Sequence, residues 1–176
     1  EMETFFKDQG GGANFGMTGY GCSQYCFFVP SDKAVLSQAF SMFGQMLLQG
    51  KLERFVERER QVIIGEFHRA YPVKFTFDLD MRERKALYTG HWMERFARPL
   101  GTPESVRHIT QTDLQQHYDT HYTPANISIV CVGGMKLEEL VALLSESPFA
   151  MSKQGKKTLQ PVPIGTIAPP LENRYV

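Results

Sequence analysis

Leu52–Ala70, LERFVERERQVIIGEFHRA, decides how the rest of the chain is read. Taken as a helix at about 100° per residue, its apolar positions gather in one arc. Leu52, Phe55, Val56, Val62, Ile63, Phe67 and Ala70 share that side, while Glu53, Arg54, Glu57, Arg58 and Gln61 point away. Glu59 and Glu66 break the pattern by falling near the middle of the apolar arc. Seven residues apart, they stand two turns and roughly 10 Å from one another along one face. A carboxylate turned toward a core costs several kcal/mol unless a cation or hydrogen-bond donors meet it. The expectation is therefore a buried acidic pair with something positive facing it. An internal arginine partner, or a helix end where both side chains reach water, satisfies that expectation; so does a metal or a catalytic role.

The whole chain bounds the choice. Its 176 residues suffice for one substantial core, with room for a second small lobe. Nineteen Lys and Arg against nineteen Asp and Glu leave no net charge, so neither a nucleic-acid partner nor an anionic membrane surface is expected. No apolar run is long enough to span a membrane. The three cysteines, Cys22, Cys26 and Cys131, do not make a disulfide framework and are read as small core residues. The chain opens at Glu1 in mid-pattern, as a processed product or a fragment would. No compartment is assigned.

Around the central stretch the pattern alternates. Residues 1–9 close a helix bearing Phe5 and Phe6, ended by Gly10-Gly11-Gly12. Asn14 to Val29 reads as strand, its glycines at 16, 19 and 21 leaving a backbone that another strand or a peptide can approach. Ser31 or Asp32 caps a helix to about Leu48 whose buried side is read as Val35, Leu36, Ala39, Phe40, Phe43, Met46 and Leu47. Pro72 stops the central helix, and another runs from about Phe77 to Tyr88. Thr102-Pro103-Glu104 starts a short helix, and Thr110 or Thr112 starts the next. Ile127 to Val132 is read as a strand buried on both faces, followed by a helix over Lys136–Leu144. Beyond Ser147, Pro, Gly and Lys dominate, with β-like pieces such as Pro161–Ile167. The glycines give neither G-x-G-x-x-G nor G-x-x-x-x-G-K-[ST], which argues against a nucleotide loop. The fold class that follows is α+β, a layered sandwich in which helices cover a mostly antiparallel sheet.

Five segments, in order, resemble the insulinase/pitrilysin family of inverted-zincin metallopeptidases, mitochondrial processing peptidases included. Gly11-Gly12-Ala13-Asn14 looks like its G-G-x-N turn, and Ser23-x-Tyr25-x-x-x-Val29-Pro30 like its T-x-Y-x-x-x-V-P strand. Glu57–Glu66 is similar to its E-x-E-R-x-V-V-L-x-E run. Leu100–Ser105 matches L-G-T-P-E-S, and Tyr122-x-Pro124-x-Asn126 matches Y-x-P-x-N. The resemblance implies zinc as cofactor, Glu66 as the third zinc ligand and Glu59 as an auxiliary acidic residue of catalysis. It also implies substrate binding at Gly12, Ala13 and Asn14 by strand addition. It divides the chain into an incomplete peptidase-like domain, 1–147, and a C-terminal extension or start of the next domain, 148–176. The implied partners are a peptide or unfolded-protein substrate and a second homologous domain or subunit.

In this family two histidines and a glutamate of H-x-x-E-H activate a zinc-bound water. The motif is absent from the 176 residues, so the histidine ligands are expected outside this chain and the isolated chain is expected to be inactive. His117 and His121 lie one turn apart, but Tyr118 stands where H-E-x-x-H needs its glutamate, and a structural role is read for them. His68 lies on the polar side of the helix, and His91 and His108 are read as loop and helix-surface residues. Three readings stay open: part of a zinc endopeptidase, a non-catalytic homologous half or structural subunit beside a catalytic partner, and a peptide-binding module with an exposed strand edge.

Overall fold

The structure, a computed structural model, describes residues 2–50, 52, 56–95 and 98–151. The β-like pieces expected beyond residue 151 lie outside the described residues. The described residues divide into two compact units, the first holding those up to Leu52 and those of Thr112–Met151, the second those of Val56–Gln111.

In the first unit, helix α1 (Met2–Asp8) ends at Gly10, whose φ of 67° is one that a side chain would strain. An antiparallel ribbon follows, strand β1 (Gly12–Thr18) on strand β2 (Ser23–Phe28), with Gly12 opposite Phe28 and Asn14 opposite Cys26. Between Asn14 and Met17 the register shifts, β1 taking up one residue more than β2. Helix α2 (Lys33–Leu48) begins where expected: the Asp32 carboxylate accepts hydrogen bonds from the backbone N–H groups of Ala34 and Val35 at 2.9 and 3.0 Å. It buries Ala39, Phe40, Phe43 and Leu47. The core is aromatic: Phe27 of β2 lies 4.7 Å from Phe43 and 5.4 Å from Phe6, ring centre to ring centre.

The second unit contains α3 (Val56–Ala70), α4 (Lys74–Leu87) and α5 (Pro103–His108). Thr102 and Ser105 form a reciprocal capping box at the start of α5. Phe67, Tyr71 and Phe77 cluster at the junction of α3 and α4, with ring centres 5.1 to 5.4 Å apart. Returning to the first unit, α6 (Gln111–His121), a 3-10 turn at Pro124–Asn126, α7 (Leu137–Ser145) and α8 (Pro148–Met151) complete the described chain. Glycine at position 44 lets α8 approach α2, since a Cβ there would stand 2.9 Å from Pro148 Cβ. No helix among the described residues is long and apolar enough to cross a membrane.

The class is α+β, as read from the sequence. One element departs from that reading. Ile127–Val132 forms no strand, and Val130 and Val132 are 86% and 97% exposed. A strand buried on both faces needs ladder partners and a layer on each side. Among the described residues the sheet has only β1 and β2, and neither pairs with this segment. The cysteines are corrected likewise: all three are free and exposed rather than core residues. Cys26 occupies the outward face of β2, alternating with Tyr25 and Phe27 that turn toward the core.

Candidate functional site

Glu59 and Glu66 both lie on α3, as expected, but neither is buried. The inward side of the helix is centred on Ile64, its one buried residue, with Val56, Arg60, Ile63 and Phe67 partly covered. That side is turned by roughly 50° from the apolar arc of the sequence. Arg60 lies on this inward side. Its guanidinium donates to the carbonyls of Arg107 and Ile109 at 3.2 and 2.7 Å, holding the C-terminal end of α5 where carbonyls are unpaired. Arg60 also pairs with Glu57 at 3.3 Å. The rotation leaves Glu59, Val62 and Glu66 in one open stripe, Val62 being 49% exposed. The cation expected to face the two carboxylates is absent among the described residues, where neither forms an ion pair. The expected burial of this pair is therefore overturned, while its placement on one side of one helix stands.

The residues in hand do not make a zinc centre. No group of three or more His, Cys, Asp or Glu able to hold a metal occurs among the described residues. Glu66 offers one open carboxylate, and zinc takes about four donors including water.

Gly12, Ala13 and Asn14 lie on β1 in the first unit, with β2 along one edge and α1 packed nearby. Ala13 turns toward the aromatic core. The glycines here serve the chain itself: a Cβ on Gly11 would stand 2.2 Å from the Phe28 carbonyl oxygen, and one on Gly12 2.7 Å from the Phe28 ring. Of the glycines read as open to another strand or a peptide, Gly16 faces Tyr25 of β2, whose ring would stand 3.4 Å from a Cβ there, and Gly21 has nothing within 4 Å. In a two-stranded ribbon each strand keeps one outer edge, which is what strand addition needs.

Sequence reasoning missed a tyrosine chain that ties α6 to its unit. The Gly50 N–H donates to the Tyr118 hydroxyl at 2.8 Å, Tyr118 stacks on Tyr122 at 5.1 Å, and the Tyr122 and Tyr25 hydroxyls share a 2.7 Å hydrogen bond. Burial first, then that shared bond, pushes Tyr25 well above the ordinary phenol range. The signal was present in Tyr25 and Tyr122, both motif positions, but nothing in their spacing announces a contact across 97 residues. His117 and His121, whose ring centres are 4.4 Å apart, line an open recess, and burial followed by the neighbouring imidazole holds His117 below the usual histidine range. His91 lies in a bend, as read, and its Nε2 is enclosed without a hydrogen-bond partner among the described residues.

Comparison with known proteins agrees with the motif order. Residues 108–175 match the family described as the peptidase M16 inactive domain. The chain is 28% identical over 163 residues to a probable mitochondrial-processing peptidase subunit beta of Arabidopsis thaliana, a match covering 90% of this chain and 29% of that protein. It is 25% identical over 132 residues to the probable zinc protease PqqL of Escherichia coli, covering 74% of this chain and 14% of the relative. The chain thus spans less than a third of either relative's length. Motif order and these matches agree on one likeness: the chain is similar to the insulinase-type, or M16, peptidases.

Proposed function

We propose that the chain is part of a zinc-dependent endopeptidase of the insulinase type and is not competent alone. Glu66 would supply one zinc ligand, with the histidine ligands outside this chain, and Glu59 would serve as the auxiliary acid on the same stripe. β1 near Gly12, Ala13 and Asn14 would take the substrate peptide by strand addition. The observation that carries this reading is the open stripe Glu59–Val62–Glu66. A helix that packs its other side leaves two carboxylates, two turns apart, aimed away from its own unit with an apolar residue between them. An open carboxylate is available to an ion in a way that one bonded to Arg60 would not be.

A second reading, the non-catalytic half or structural subunit beside a catalytic partner, is favoured by one observation. The family matched over 108–175 is described as an inactive domain. The two readings part on activity. The 176-residue chain alone is expected to leave an unstructured peptide uncut, while the intact polypeptide cuts it and its Glu66→Gln variant does not. Chelator-sensitive turnover by the chain alone would overturn the claim that it is incompetent. An intact polypeptide indifferent to Glu66→Gln would favour the non-catalytic reading. Tight peptide binding by the chain alone, unaffected by chelator, would instead favour a binding module built on the β1 edge.

A further inference from the structure

A recess on α6 is lined by Asp113, Gln116, His117, Thr120 and His121. His117 and His121 are one helical turn apart, and their ring centres stand 4.4 Å from one another with planes inclined by 47°. A metal ion held about 2.0–2.1 Å from an imidazole nitrogen lies roughly 3.2 Å from the ring centre. Ring centres 4.4 Å apart then subtend roughly a right angle at one shared ion. That is close to the bite that four-coordinate and square-planar ions accept. Neither ring nitrogen has a hydrogen-bond partner among the described residues, so no existing bond opposes a ligand.

We propose that His117 and His121 form a two-imidazole site for a late first-row divalent metal ion, with water in the remaining positions. This site does not depend on the role assigned to Glu66. Asp113 borders the same recess, but it stands eight residues from His121, roughly 12 Å along the axis. It therefore cannot share one ion with that residue, in keeping with the absence of any three-ligand group among the described residues. Two neutral nitrogen ligands favour copper(II) over nickel(II) and zinc(II). An ion bridging positions 117 and 121 also clamps the last turn of α6, where Tyr118 and Tyr122 anchor the helix.

The test is a copper(II) titration of the untagged intact polypeptide after removal of bound metal, followed by calorimetry and electron paramagnetic resonance. The expected result is a site whose affinity falls more than tenfold in His117→Ala and in His121→Ala, and whose spectrum loses one nitrogen coupling in each. His68→Ala and Glu66→Gln should leave that site unchanged, and nickel(II) and zinc(II) should bind it more weakly than copper(II). His117→Gln and His121→Gln, with far-UV circular dichroism, guard against a variant that fails to fold. Wild-type affinity in either position's folded variant, or an equal loss in His68→Ala, overturns the proposal.

Discussion

Helices α2 and α3 both carry a continuous apolar arc in sequence, yet they end in opposite circumstances. In α2 the arc and the packed side coincide: Phe40 and Phe43 are each 3% exposed and Ala39 is fully covered. In α3 the arc is split, with Ile63 and Phe67 partly covered beside the buried Ile64 and Val62 left open beside Glu59 and Glu66. The difference lies in what anchors each helix. α2 is seated by aromatic rings that bury large areas without directional demands. α3 is oriented by Arg60, whose fork is directional and is committed to two backbone carbonyls. A directional polar anchor can hold a helix off its hydrophobic optimum, and α3 is held so.

The sharpest way to break this comparison is substitution at equivalent depth in the pattern. Phe43→Ala is expected to cost about 3–5 kcal/mol, because it removes a ring from a closed core. Val62→Ser in the isolated chain is expected to stay within about 0.5 kcal/mol of wild type. Urea unfolding of the two variants checks both, and a Val62 cost near that of Phe43 would mean that the α3 stripe is covered after all. Arg60→Ala should fall between them, at about 1–3 kcal/mol, because the carbonyls of Arg107 and Ile109 lose a charged donor.

A smaller effect concerns the junction after α3. Tyr71 is 7% exposed and donates to Asp80 at 2.6 Å, and burial followed by that bond pushes its phenol up to about 12. The folded state therefore keeps a proton that the unfolded chain gives up near pH 10. Stability contributed by the neutral phenol is complete below about pH 10 and is lost as pH rises toward 12. Tyr71→Phe should flatten the stability profile across that window. A profile as steep in the variant as in the parent would remove Tyr71 as its source.

Much of this was legible in the sequence, for identifiable reasons. Asp32 before an apolar period gave the start of α2, and Thr102-Pro103 gave α5, because capping is local chemistry. The family resemblance was legible because turn and cap residues recur in a fixed order. The orientation of α3 was not, since hydrophobic period cannot weigh the pull of Arg60 on carbonyls 47 and 49 residues away. Ile127–Val132 was misread for a related reason. Its apolar run specifies a strand only where partner strands exist, and pairing is a property of the sheet rather than of the segment. For the candidate site, helix and spacing were readable, but burial was not.

In the proposed function the open carboxylate of Glu66 serves an ion whose other ligands are not found among the described residues. The most direct test is the zinc content of the untagged intact polypeptide after exhaustive dialysis, wild type against Glu66→Gln. The expected result is a tightly held zinc in the wild type that is largely lost in the variant, with α3 still helical by hydrogen exchange. Equal zinc in both proteins would contradict it.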